Sequence, residues 1–507
     1  MQFMSLTKVL SASIIGIDVA LVEIEVDVTH FIEKTQLLIV GLPDAAVKES
    51  KDRVQTAIKN SGYSLNEIKA TINLAPGDLK KEGSLYDLPI ALGLIHALKK
   101  FSTEISNHYL VVGELSLSGH TRPIKGAIAI AIFAREQGFK GVLLPSENAK
   151  EASFIPGIEI FAIDHLKDAI SFFENPLTLN PFNKKVFSAV NDRIFEIDFA
   201  DIKGQNHAKR ALEIAAAGNH NIVLSGPPGT GKSMMAKAFM GIMPDMCLEE
   251  ALEVTKIHSI AGLLDKSHHL IKKRPFRSPH HTVSYAGLIG GGQTPRPGEV
   301  SLAHNGVLFL DEFPEFSQKV LEVLRQPLED NVVTISRANG TFTFPSRFLC
   351  IAAMNPCPCG YLGHTEKICT DSSTQIDRYR NKISGPLWDR MDMFVDVPVV
   401  KFSEFQSNKP SENSASILAR VKLARSKQEQ RFGKTKTNSS MTSKEIDLFV
   451  TLNKDCKDVL AQAMENLNLS NRAYHRILKV ARTIADLDGK ETIDLNHTLE
   501  AISYRKP

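Results

Sequence analysis

From Val9 to about Phe173, short apolar runs alternate with stretches of helical spacing: IIGIDVALVEIEVDV, then QLLIVGLPD, then AAVKESKDRVQTAIKN. A period of two predicts strands and a wider period predicts helices, so residues 1–175 read as a self-contained α+β domain. Both periods stop across 176–198, where NPLTLNPFNKK carries the prolines and asparagines of a surface linker. Strand-like runs return at Asn221–Ser225, Val307–Leu310 and Phe348–Met354, each followed by a loop and helical patterning. That rhythm predicts a parallel α/β sheet over 199–400. Beyond the polar stretch QSNKPSENSAS the chain turns helical, so 401–507 reads as a helical lid domain, and no solenoid-type repeat interrupts the chain.

A length of 507 residues suits about three domains. With 43% hydrophobic and 23% charged residues the chain is globular, which excludes wholesale disorder and a disulfide-dominated scaffold. Sixty Lys+Arg against 57 Asp+Glu leave +3, a balance that neither demands nor forbids a nucleic-acid partner. Six cysteines, three of them between Cys357 and Cys369, predict a reducing, cytoplasmic setting with at most one metal site. Asp18 and Glu23 interrupt the N-terminal apolar stretch, which argues against a secretion signal. GAIAIAIFA, the greasiest run, falls far short of the roughly 20 residues that span a bilayer, so no membrane partner is expected.

The densest chemistry lies in NIVLSGPPGTGKS: a buried strand, a Gly-rich turn over Gly226, Pro227, Pro228, Gly229, Thr230 and Gly231, then Lys232 and Ser233 opening a helix. Glycines let the backbone wrap a phosphate, Lys232 reaches the β and γ phosphates, and Ser233 supplies an oxygen to Mg²⁺. Val307–Leu310 delivers Asp311 and Glu312 at a strand end, where ligands of open α/β sheets sit. Asp311 would orient Mg²⁺ and Glu312 would polarise the attacking water, which points to ATP hydrolysis rather than nucleotide storage. FLCIAAMN ends in Asn355, a polar group for the same site. Cys357, Cys359 and Cys369 have spacing able to fold around one tetrahedral Zn²⁺, with Asp371, His364 or neither as the fourth ligand. The pairs His268–His269 and His280–His281 lack the helical spacing of a zinc pair and are assigned no metal.

The strand, phosphate loop, acidic strand, polar-tipped strand and helical tail together resemble the AAA+ ATPases. RPFRSPHHTVSYAGLIGGGQTPRPGEVSLAHNGVLFLDEFPEF, NPCPCG and KISGPLWDRMDMFVDVP narrow the likeness to the magnesium-chelatase-like AAA+ proteins of the bacterial ComM/YifB group. GLPDAAVKES, INLAPGDLKKEGSLYDLPIALG and RAYHRILKVARTIADLDG extend it over nearly the whole chain. The resemblance implies a homo-hexameric ring in which Arg390 completes a neighbour's nucleotide site, Asn355 is the first sensor and Arg472 the second. Both arginines would neutralise charge on the γ-phosphate. The last cysteine pair of that group usually reads Cys-x-Cys, where this chain has Cys369 and Asp371.

GELSLSGHTRPIKGAIAIAIFAREQGFKGVLLPSENAKEASFIPG resembles the proteolytic domain of Lon proteases. The nucleophile position falls on Leu85 and the catalytic lysine on Ile128, so the Ser-Lys dyad is absent. Ser84 and Lys125 are near in sequence, but a one-residue slip turns a strand side chain to the other face. The expected class is therefore a multidomain α/β protein: an AAA+ P-loop core with a helical lid, preceded by an inactive Lon-like α+β domain serving as scaffold or DNA-facing collar.

TISRANGTFTFPSRF reads as two strands joined at Ala338-Asn339-Gly340, a hairpin that projects into the pore in relatives. Arg337, Arg347, Lys272, Lys273, Arg274 and Arg277 would line a basic channel that tracks phosphates without reading sequence. What the resemblance implies is an ATP- and Mg²⁺-dependent DNA helicase acting on single-stranded and branched DNA, promoting branch migration in natural transformation. A recombinase and a single-strand-binding protein are its expected partners. The alternative is a protein-remodelling ATPase that uses the Lon-like domain as a substrate dock.

Overall fold

Along the segment Asp18–His30, valine and isoleucine alternate with acidic residues, and the fold turns that alternation into a buried face made by Val22, Ile24, Val26 and Val28. The computed structural model describes residues 6–30, 35–99, 101, 103–183, 187, 195–264, 269–292, 295–337, 340–364, 366–400, 411–433, 436–467 and 469–505. Much of the expected linker, part of the polar stretch before the helical tail, and the turn residues Ala338 and Asn339 lie outside them. The chain forms two compact units, residues 1–188 with 248–271, and residues 189–247 with 272–507.

The first unit is built on a seven-stranded mixed sheet. Its strands are β1 (Thr7–Ile15), β2 (Asp18–His30), β3 (Gln36–Val40), β4 (Ile68–Ala75), β5 (Tyr109–Val111), β6 (Gly141–Pro145) and β7 (Glu159–Ile163). They lie in the order β3-β4-β2-β1-β5-β6-β7. The one apolar run expected over Ile14–Val28 is two strands, because the chain reverses at Gly16–Ile17 and pairs Ile15 with Asp18. The helix Asp87–Lys99 is buried over most of its length and packs on β1 and β2.

One boundary differs from expectation. The sequence gives no sign that 199–400 is interrupted, yet the helix Leu248–Ala261 belongs to the first unit, where it packs on the helix Ala127–Glu136. Ala251, Leu252, Val254 and Ile257 supply its buried side, and the Ser259 hydroxyl accepts the Gly126 N–H at 3.0 Å. Its residues form a helix, whereas the partner it packs against is a tertiary choice.

The second unit carries β8 (Ile222–Ser225), β9 (Phe276–Arg277), β10 (Val307–Leu310), a hairpin of β11 (Val332–Arg337) and β12 (Gly340–Pro345), β13 (Leu349–Met354) and β14 (Met393–Asp396). A parallel sheet runs in the order β9-β10-β13-β8-β14. β9 and β14 go beyond the strands expected from sequence, being only two and four residues long. The helices Ser414–Phe432, Lys454–Asn466, Asn471–Leu487 and Leu495–Ser503 form the tail. They share one hydrophobic core with the sheet: Ile477, Ile484 and Val421 join Ala211, Ile222, Leu224 and Met393.

Asp392 fastens that junction. Almost fully buried, it accepts the Asn221 N–H at 2.9 Å, pairs with Arg476 from the tail and lies 3.7 Å from His220. Burial alone would push its carboxyl up, but Arg476, His220 and the Asn221 N–H outweigh that and hold it far below the ordinary carboxylate range. A depressed folded pKa stabilises above the unfolded value, near pH 4, and the contribution is lost as pH falls toward the folded value. Asp392→Ala leaves the Arg476 charge without its partner and is expected to destabilise the second unit by about 3–5 kcal/mol. Urea unfolding at neutral pH measures this, and the gap between variant and wild type should shrink as the solution is acidified.

Candidate active site

Parallel pairing in register brings four strand ends to one edge. Ser225 lies beside Met354 and Asp396, and Leu310 beside Ala352, so the loops that begin at Gly226, Asp311 and Asn355 emerge together. Gly226 is required there, since a Cβ would stand 2.1 Å from the Val397 carbonyl oxygen. Gly229 and Gly231 take φ of +79° and +88°, with nothing within 4 Å of where a side chain would begin. Their open side is the concave backbone that a phosphate chain fits.

Lys232 is 8% exposed, and its ammonium donates to the carbonyls of Gly226 at 2.6 Å and Pro227 at 2.8 Å and to Asn355 Oδ1 at 3.3 Å. Burial pushes its pKa down and Asp311 opposes that shift. The Ser233 hydroxyl donates to Asp311 Oδ2 at 2.7 Å. A hydroxyl and a carboxylate oxygen at this separation form a hard donor pair that fits Mg²⁺, which would be held by Ser233 and Asp311 together with nucleotide phosphates. When bound, that ion would neutralise charge on the β and γ phosphates. Thr230 donates to the Pro227 carbonyl at 2.9 Å, closing the loop on itself.

Asp311 Oδ1 also accepts the Glu312 N–H at 2.9 Å. Glu312 itself has φ of +52°, a left-handed conformation that turns its side chain out of the strand line. Its Oε2 lies 2.9 Å from His281 Nδ1. Reading the sequence missed this partner. The RPFRSPHH run was available as a signal, but only the fold sets His281 opposite the Glu312 carboxylate.

The two arginines meet on one carboxylate. Arg390, 8% exposed, donates to the carbonyls of Arg325 at 3.0 Å and Pro386 at 2.6 Å and pairs with Glu329. Arg472 Nη2 stands 3.6 Å from the same Glu329. Asn355 is thus the only one of the three expected sensor or finger residues that touches the phosphate-loop lysine within this chain, among the described residues.

Of the residues expected in a basic channel, three are committed to the fold. Arg347 donates to Asn305 Oδ1 at 3.0 and 2.7 Å, Arg277 makes a bidentate pair with Glu299 at 2.6 and 2.7 Å, and Arg274 donates to the Asn305 and Pro244 carbonyls. Asn305 thus holds the Arg347 guanidinium at the base of the hairpin. Arg337, at the hairpin end, and Lys273 are exposed, and Lys272 lines a small depression with Met243 and Pro244.

The cysteines converge. The sulfurs of Cys357, Cys359 and Cys369 are 3.4, 3.5 and 3.6 Å apart, and Asp371 Oδ2 is 3.8 Å from the Cys369 sulfur. His364 is not the fourth member, because its Nδ1 accepts the N–H groups of Glu366 and Lys367. In the first unit, Leu85 packs against the core and Ile128 is fully buried. The Ser84 hydroxyl is held by Glu114, while the Lys125 ammonium lies against Gly262, so these two form no displaced dyad.

Known families match most of the chain. The family described as magnesium chelatase, subunit ChlI, matches residues 198–405, its C-terminal counterpart matches 411–505, and subunit ChlI of Mg-chelatase matches 24–148. The competence protein ComM of Haemophilus influenzae is 43% identical over 99% of this chain and 98% of its own length. The uncharacterised protein YifB of Escherichia coli is 42% identical over 99% and 97%. Lon protease 2 of Bacillus subtilis shows a partial likeness, 29% identity over 33% of each chain. Phosphate loop, acidic strand, asparagine-tipped strand and full-length identity converge, and the chain belongs to the magnesium-chelatase-like AAA+ ATPase family, in its ComM/YifB group.

Proposed function

We propose that this chain is an ATP-driven motor on DNA, a helicase that promotes branch migration while incoming single strands are recombined in natural transformation. The observation that carries hydrolysis is the convergence of Lys232, Ser233, Asp311, Glu312 and Asn355 at one sheet edge. Lys232 and the loop N–H groups hold the phosphates, Ser233 and Asp311 present oxygens to Mg²⁺, and Glu312 accepts a proton from the attacking water. The DNA step draws on the name of the Haemophilus relative, a competence protein, and on the β11–β12 hairpin with exposed Arg337.

The working form is a homo-hexamer in which Arg390 leaves Glu329 to reach a neighbour's γ-phosphate, with Arg472 as second sensor. It works in the cytoplasm, and a recombinase and a single-strand-binding protein are its partners. No helix among the described residues is long and apolar enough to cross a membrane. Sequence-independent phosphate contact suits a motor, since base recognition would impede stepping.

Steady-state ATP hydrolysis tests the reading, measured alone and with single-stranded, duplex and four-way-junction DNA over a salt titration. Stimulation by junction DNA that falls with rising salt is the expected result. Rings that hydrolyse ATP without response to any DNA, yet respond to unfolded protein, would replace this reading with protein remodelling.

A further inference from the structure

Beyond the nucleotide site, three sulfurs stand in a near-equilateral triangle, 3.4 to 3.6 Å on a side, and none is in a disulfide. Thiolates bound at about 2.3 Å around one tetrahedral zinc ion stand roughly 3.8 Å apart, close to this triangle. The spacing is also too tight for the separate irons of an iron–sulfur cluster. Asp371 completes the set, since all four ligand atoms lie within 4.8 Å of one another.

The surrounding backbone fixes the arrangement. The Cys359 N–H donates to Asp371 Oδ2 at 2.8 Å, fixing the carboxylate beside the thiols. Outer hydrogen bonds of this kind orient ligands and hold negative charge on them. Cys357 is fully buried, and Cys359, Cys369 and Asp371 are half-buried beside it.

The location gives the cluster a consequence. Cys357 lies two residues after Asn355, and Gly360 between the cysteines has φ of +84°. A Cβ on Gly360 would stand 2.7 Å from Pro228 Cδ of the phosphate loop and 3.8 Å from Asn355 Cγ. The cysteine turn therefore sits directly on both. Asn355 in turn meets the Lys232 ammonium.

We propose that Cys357, Cys359, Cys369 and Asp371 bind one Zn²⁺ in a closed four-ligand site, and that this ion holds Asn355 and the phosphate loop in position. The donor set selects the metal: three soft thiolates and one carboxylate in a tetrahedron suit zinc rather than magnesium or calcium. With all four positions filled by protein, the ion positions residues and binds no substrate. The first half stands without any assumption about the reaction, and the second rests on the reading of the site as an ATPase.

The full-length chain, purified without added metal and desalted, is expected to carry about one zinc per chain by elemental analysis. A thiol-reactive mercurial should release that zinc stoichiometrically. Exchange with Co²⁺ should give the visible bands of tetrahedral thiolate cobalt, and D371N should shift those bands while C369S removes zinc. C369S and Asn355→Ala should each lower kcat about tenfold or more with a smaller change in KM. Metal far below one per chain together with no cobalt–thiolate bands would overturn the site. Full zinc in the wild type, with C369S metal-free yet turning over at the wild-type rate, would overturn the positioning role. Because metal content and cobalt spectra are read on the wild-type chain, they report even where a variant does not fold or where ATP is not hydrolysed.

Discussion

Glu312→Gln is expected to bind ATP with Mg²⁺ as the wild type does and to turn it over roughly 10²–10⁴ times more slowly. The amide keeps the size and the two-atom end of the carboxylate, so Asp311, Ser233 and the phosphate loop have no reason to move. What it lacks is the basic oxygen that takes a proton from water. The left-handed backbone at Glu312 turns this side chain away from its strand, and His281 at 2.9 Å meets it there. Equilibrium binding of a fluorescent ATP analogue and steady-state phosphate release separate the two effects. Unimpaired binding with a collapsed kcat assigns the base, and in a ring the bound, unhydrolysed nucleotide should hold subunits together. Wild-type turnover by this variant would remove Glu312 from the reaction.

Lys232→Ala should fail earlier, at binding. A hydrogen bond to a charged group contributes roughly 1.5–3 kcal/mol, so losing contact with two phosphates costs about 3–6 kcal/mol, a hundredfold or more in affinity. The same ammonium also ties together the Gly226 and Pro227 carbonyls and Asn355, so the loop loses its internal brace. Isothermal titration with a non-hydrolysable ATP analogue is the direct measurement. Retained affinity would mean that the backbone N–H groups alone hold the phosphates.

Local chemistry was readable from the sequence and remote pairing was not. Gly226 to Ser233 are contiguous, and each residue type has a geometric reason, so the phosphate loop could be placed with its strand and helix before any coordinates. Asp311 and Asn355 follow because an apolar run ending in a polar residue marks the edge of a parallel sheet. The cysteine spacing was readable too, but Asp371 and His364 stood as equals until the fold turned His364 toward the Glu366 and Lys367 N–H groups. His281 facing Glu312, Asn305 holding Arg347, and Glu329 shared by Arg390 and Arg472 depend on which loops the sheet brings together. A charge in a sequence carries no mark of the partner it will meet in the fold.

The segment 248–271 leaves the second unit's chain, packs with the first unit and returns. Neither unit is therefore a contiguous gene fragment. A truncated protein beginning near residue 199 would retain the helix Leu248–Ala261 but lose the apolar surface that covers Ala251, Leu252, Val254 and Ile257. Such a fragment gains an exposed greasy face, a route to self-association that could be mistaken for ring assembly. Removing the first unit cleanly means replacing 248–271 with a short polar connector as well.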